Sequence, residues 1–374
     1  MKKIKLTYVI SGIDYAFAFD WVDQYMDKSR FDLDFVFLNA KEPALHRQFK
    51  ERGINSVYFF HQSKIDMLKN FFRILSFFVI RRPDIVHFHL FDACLTGLPA
   101  AWLARVKKRI YTRHHSTFHF DYHPHMVKYD KLINYLSTDI VAITTNVKEV
   151  LINREHVNEK KITLIHHGFV LNNFSNPKEE DVKILKGKYN PTEMTPVVGV
   201  IARFTEWKGI QYIIPAFSEF LKSYPNALLL LANAKGDNSE ALFQQLKTLP
   251  SKNYLTIEFE KDLYSLYQLF DIYVHVPIDE CAEAFGQTYV EALAAGIPSV
   301  FTLSGIAREF IENEKNALVV PYKNANAIQT SIERLLENKQ LRNNLVEQGK
   351  KDVYASFVID KMMNSLFSLY EKRS

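Results

Sequence analysis

Short apolar runs alternate along this chain with longer stretches whose apolar positions recur at helical spacing. In the first half the runs are Lys5–Ser11, Asp34–Leu38, Ser56–Phe60, Ile85–His89, Arg109–Arg113, Ile140–Thr144 and Ile162–His166. In the second half they are Val197–Ala202, Ala227–Ala232, Leu255–Glu258, Ile272–Val276, Ser299–Thr302 and Ala317–Val320. Most are continuously apolar rather than alternating, as expected of strands covered on both faces. Strands interleaved with helical patterns predict βα units and parallel sheets. Two sheets accommodate thirteen strands better than one. The polar stretch Leu171–Pro196, with prolines at 177, 191 and 196, separates the two series. The expected division is therefore a domain over 1–172, a linker over 173–196 and a domain over 197–355. A tail over 356–374 spaces Phe357, Met362, Leu366 and Leu369 like one helical face.

The segment Met67–Arg82 carries more apolar residues than one face needs. Leu68, Phe71, Phe72, Leu75, Phe78 and Val79 recur at helical spacing and are expected to pack on the sheet. Ile74 and Phe77 then point elsewhere, beside Lys69, Arg73, Arg81 and Arg82. That second face suits transient contact with an anionic membrane surface; a plain core helix is the alternative.

Length adds that 374 residues make roughly two domains at about 150 residues each. With 47% hydrophobic and 24% charged residues the composition is globular, which excludes disorder, collagen-like repeats and coiled coil as the main architecture. The two cysteines, Cys94 and Cys281, are too few for a disulfide framework and point to a reducing, cytoplasmic compartment. The start, MKKIKLTYVISG, reads as a first strand rather than a signal peptide. No uninterrupted apolar run is long enough for a transmembrane helix. A net charge of +5 permits an anionic ligand without demanding nucleic acid.

Candidate chemistry gathers at strand ends. After Ile272–Val276 comes Glu283-Ala-Phe-Gly286-Gln287-Thr288-Tyr-Val-Glu291. Gly286 permits a tight turn into a helix whose first amides, at Gln287 and Thr288, favour an anion. Glu283 and Glu291 then either flank a ligand or are an ordinary loop carboxylate and an exposed helix carboxylate. Arg203 and Lys208 emerge after Val197–Ala202, at the edge where ligands bind in open α/β sheets. Two cations on one turn suit a diphosphate, or simply a solvated loop. Arg113-His114-His115 ends another strand, and His119, His123 and His125 follow. Their spacing fits no standard zinc pattern, so no metal is expected. One histidine contacting a sugar hydroxyl is preferred. Gly12, after the first strand, permits close backbone approach to a ligand. Asp32-Leu-Asp34 lies at the amino edge and reads as structural. No P-loop, GxSxG or HExxH is present.

EAFGQTYVEALAAGIPSV (283–300) and RFTEWKG (203–209) resemble the retaining GT-B glycosyltransferases of family 4. RPDIVHFHL (82–90), TRHHST (112–117) and KITLIHHGF (161–169) are similar to that family in order and spacing. The first loop departs from it with one glycine where many relatives have two, and His167-Gly168 replaces a frequent Asn-Gly. The resemblance implies an α/β fold of two Rossmann-like domains, parallel sheets facing across a cleft, with the last helix returning to the first. It implies a nucleotide sugar, a UDP-sugar favoured, as donor and a saccharide or lipid-linked acceptor. No further cofactor and no metal are implied. Arg203, Lys208 and the amides near Gln287 and Thr288 would hold the diphosphate, Glu291 the ribose and Glu283 the sugar. His115 and Gly12 match first-domain positions near the donor. A sugar-nucleotide epimerase of the same fold, or a non-catalytic partner subunit, are the alternatives.

Overall fold

The computed structural model describes residues 3–372. Met1, Lys2, Arg373 and Ser374 lie outside the described residues, so the expected first strand and tail are placed without them. Thirteen strands occur among the described residues, in two wholly parallel sheets.

The first sheet contains β1 (Ile4–Ser11), β2 (Phe31–Asn39), β3 (Ser56–Phe60), β4 (Ile85–His89), β5 (Lys108–Arg113), β6 (Asp139–Ala142) and β7 (Ile162–Leu164). Their order is β3-β2-β1-β4-β5-β6-β7. The second contains β8 (Val197–Ile201), β9 (Leu228–Ala232), β10 (Tyr254–Ile257), β11 (Ile272–His275), β12 (Ser299–Phe301) and β13 (Leu318–Val319), in the order β10-β9-β8-β11-β12-β13. Each sheet is wound outward from its centre, so strand order reverses between β1 and β4 and between β8 and β11. Such switch points leave a crevice at the carboxyl edge. Gly12 follows β1, Arg203 follows β8 and Glu283 follows β11, which places the candidate residues at those crevices.

The chain forms two compact units, one running to Phe169 and taking up the tail from Ile359, the other Val170–Val358. The segment 173–196, expected as a linker, belongs to the second unit and carries the helix Glu179–Tyr189. Its acidic first turn and basic last turn complement the helix dipole. The Tyr189 hydroxyl donates to Glu260 at 2.6 Å, tying that helix down. The tail helix, Ile359–Glu371, buries Met363, Leu366, Leu369 and Tyr370 in the first unit. A side chain at Gly168 would lie 2.8 Å from the Ile359 Cα, so the missing Cβ is what lets the helix start so close.

Asp32 and Asp34 lie inside β2, and both receive the Arg81 guanidinium, at 2.8 and 2.5 Å. The pair is thus structural. It also removes Arg81 from the expected membrane-facing set. On the helix Lys64–Arg81 Phe78 is buried as expected, but Asn70 and Ile74 complete the buried side, while Leu68, Phe72 and Val79 face outward, a second correction. With apolar residues on nearly every side, spacing alone did not choose the face; on the buried side the Asn70 side-chain amide donates to the Phe60 carbonyl at 2.9 Å.

Candidate functional site

In the second domain the site begins with β8, wholly buried, whose end releases Arg203 into solvent. The Arg203 guanidinium lies over the Trp207 ring, 5.9 Å from its centroid, which stiffens an otherwise free side chain. The turn Glu206–Lys208 closes on Gly209, whose φ is +75°. A Cβ at Gly209 would sit 1.9 Å from the Val276 carbonyl oxygen. Only glycine lets this turn lie against the end of β11, and that contact delivers Lys208 to the neighbouring loop.

There the Lys208 ammonium meets Glu283 Oε1 at 2.5 Å, and His275 Nε2 meets the same oxygen at 3.0 Å. The Glu283 backbone N–H donates to Ser304 Oγ at 2.9 Å. Burial would raise the Glu283 carboxyl, but the Lys208 charge and the His275 hydrogen bond outweigh it and hold it at about 2. His275 is shifted down by burial, against the pull of Glu283, so it is a neutral ring donating from Nε2 to a carboxylate. A buried carboxylate, a cation and a neutral imidazole thus share one edge of the sheet.

Gly286 (φ +84°) caps the helix Gln287–Ala294. A Cβ there would press on the Tyr289 ring at 2.6 Å. Glycine therefore brings the helix N-terminus, with Gln287 and Thr288, close after Glu283. Glu291 lies one turn further on and is buried, not exposed. Burial pushes its carboxyl up to about 7, opposed by the Tyr267 hydroxyl, which donates to Oε2 at 2.8 Å. Two glutamates eight residues apart are thus tuned in opposite directions by their surroundings.

In the first domain, Gly12 has φ +66°, and no atom lies within 4 Å of where its Cβ would stand. Its N–H donates to the Leu38 carbonyl at 3.0 Å. His115 lies beyond β5 on the wall of a cavity of about 230 Å³, with Leu90, Phe91, Arg113, His119 and Asp130. Its Nε2 has no hydrogen-bond partner and lies 3.5 Å from Asp130 Oδ1. Burial and the neighbouring Arg113 and His119 hold it well below the usual histidine range. Asp130 also accepts from His119 at 2.7 Å and faces Arg113 at 3.0 Å. Arg113 reaches on to Glu155.

His115, His119 and Asp130 bring three potential ligand atoms within 4.8 Å of one another. Asp130 is nonetheless already matched by a guanidinium and an imidazole. The set works as a buried ion-pair network that fixes the His115 loop.

Lys208 and Glu283 are therefore in direct contact, and Gly286, Gln287, Thr288 and Glu291 follow on the same loop and helix. Gly12 and His115 belong to the other unit. His275, Tyr267 and Asp130 were not anticipated. His275 had a signal, since it lies at the end of a strand; Tyr267 closes the short helix Leu263–Tyr267 and Asp130 lies in the first turn of the helix Val127–Leu136, positions that carry none.

A model of glycosyl transferases group 1 matches residues 181–352, and one of glycosyltransferase family 4 matches residues 24–173. Capsular polysaccharide biosynthesis glycosyltransferase CapM of Staphylococcus aureus is 26% identical over 326 residues, 82% of each chain. Alpha-monoglucosyldiacylglycerol synthase of Acholeplasma laidlawii is 28% identical, over 63% of this chain and 62% of its own. The Anabaena HepE structure in complex with UDP-glucose superposes with a TM-score of 0.85 at 17% identity, covering 99% of this chain and 100% of HepE. With both domains matched and the fold shared throughout, the chain belongs to the GT-B glycosyltransferases, a family 4 first domain joined to a group 1 second domain.

Proposed function

We propose that this glycosyltransferase moves a hexosyl or N-acetylhexosaminyl group from a nucleotide-diphosphate sugar, preferably a UDP-sugar, to a saccharide or lipid-linked acceptor, with retention and without a metal ion. The observation that carries this is the Lys208–Glu283–His275 cluster at the β8–β11 reversal, beside the helix N-terminus at Gly286. The UDP-glucose complex of HepE supports the choice of nucleotide. CapM, a capsular polysaccharide enzyme, supports a cell-surface glycan as product.

Negative charge grows on the leaving diphosphate as the anomeric C–O bond breaks. Arg203, Lys208 and the helix N-terminus are fixed positive groups suited to receive it. Lys208 is held by Glu283 before any donor arrives, so it is ordered in advance. Glu283, kept ionised, accepts from the sugar hydroxyls, and Glu291 takes the ribose. The acceptor oxygen bonds to the anomeric carbon on the face the diphosphate leaves, and its proton passes to a departing phosphate oxygen. For Gly12 and His115, on the first domain, a part in the reaction rests on the family resemblance alone. The enzyme would work in the cytoplasm, peripheral to the inner face of the membrane.

Incubation with a panel of UDP-, GDP- and ADP-sugars tests the reading. Nucleoside diphosphate release that grows with added acceptor, and survives EDTA, is expected. A new sugar nucleotide would mean an epimerase; silence across the panel would leave a partner subunit; Mn²⁺-rescued activity would refute the metal-free mechanism.

A further inference from the structure

Ser63 and Asp66 form a capping box that starts the helix Lys64–Arg81 firmly. Its inner side is fixed by Asn70, Ile74 and Phe78. Its outer side is unusual for a protein surface. Ile65, Leu68, Phe72, Val79 and Ile80 are 68, 61, 59, 55 and 80% exposed. The first four fall at helical spacing and form one apolar stripe.

Lys64, Lys69, Arg73 and Arg82 are exposed around that stripe. Within the helix Asp66 alone is acidic, and it is engaged in the cap. The helix Phe91–Leu103 packs beside this one. Right-handed crossovers between parallel strands make both helices end at the same sheet edge. There the second helix exposes Trp102 and Leu103, followed by exposed Arg105 and Lys107. No helix among the described residues is long and apolar enough to cross a membrane. An apolar stripe bordered almost purely by cations matches a surface that is apolar beneath and anionic above. A second copy of the chain fits poorly, because a symmetric pairing of this face would set cations against cations.

We propose that the outer face of Lys64–Arg81, continued by Trp102 and Leu103, docks the protein on an anionic lipid bilayer. This deepens the reading of a lipid-linked acceptor and rests on it for its purpose, though its test does not.

The full chain, without donor, is co-sedimented with phosphatidylglycerol–phosphatidylcholine vesicles and with pure phosphatidylcholine vesicles, at low and high salt. Binding to the anionic vesicles at low salt, weakened by salt, is expected. K69S and R73S should each lower partitioning about fivefold. F72S with I80S should abolish it while leaving nucleotide-sugar turnover on a soluble acceptor unchanged. No low-salt binding, equal binding to neutral vesicles, or variants that bind like the parent would overturn the proposal. So would a dimer, seen by light scattering, that the F72S and I80S changes dissolve. Vesicle binding without turnover would fault the transferase reading instead, and turnover without vesicle binding would fault only this one.

Discussion

Lys208 and Glu283 form a 2.5 Å ion pair across 75 residues of sequence, joining the turn after β8 to the loop after β11. Glu283 is 7% exposed, so removing one partner strands a charge in a poorly solvated place. We expect K208M and E283Q each to destabilise the second domain by about 3 kcal/mol. The double variant should lose less than the sum, a coupling that denaturant melts of all four proteins would measure. K208M should also slow turnover about 10²-fold or more, as for one lost stabiliser of transition-state charge. Strict additivity in the melts would contradict the pairing.

The two glutamates make opposite contributions to stability as pH changes. Glu283 is held below its ordinary 4.5, so its stabilisation is present above that value and lost as pH falls through about 2. Glu291 is raised, so its stabilisation is full below 4.5 and lost as pH rises through about 7. E291Q should therefore gain on the parent by about 3 kcal/mol between acid and mildly alkaline pH.

Binding should move the other way at Glu291. A carboxylate accepts ribose hydroxyls better than a protonated acid does. Parent affinity for UDP, followed by calorimetry, should rise as pH passes through about 7, and E291Q should be flat. A parent curve as flat as that of E291Q would remove Glu291 from the ribose.

Positive φ is shared by Gly209 and Gly12, but their surroundings differ. An added Cβ at Gly209 strikes the Val276 carbonyl at 1.9 Å, whereas at Gly12 it meets nothing within 4 Å. G209A should cost about 3 kcal/mol or more, because backbone must move. G12A should cost about 1 kcal/mol, the left-handed strain alone. Equal losses in thermal melts would contradict the close approach of the two loops.

Tyr370 on the tail helix bridges the Tyr8 hydroxyl, at 2.5 Å, and His87 Nδ1, at 2.8 Å. His87 passes the chain on to Thr112 at 2.8 Å. Y370F orphans two buried groups and should destabilise the first domain by about 2 kcal/mol; Y8F leaves the Tyr370–His87 bond and should cost less. The reverse ranking in denaturant melts would contradict the bridge through Tyr370.

Apolar runs interleaved with helical patterns were enough to place thirteen strands in two sheets, because a strand covered on both faces must be apolar throughout. Loop glycines and charged residues just past strand ends could be read too, since the carboxyl edge of a parallel sheet is where such residues gather. Glu283, Arg203, Lys208 and Gly286 were found that way. Strand order and local packing are not written in local sequence. Only the folded chain put β8 beside β11, and so Lys208 and His275 on one carboxylate. Both Glu283 and Glu291 are buried, and only tertiary contacts separated them: Lys208 and His275 reach Glu283, whereas Glu291 has the Tyr267 hydroxyl. The helix Lys64–Arg81 shows the same limit. Apolar on nearly all sides, it had no face that periodicity could choose; tertiary packing buried Asn70, Ile74 and Phe78 and left Leu68, Phe72 and Val79 facing outward.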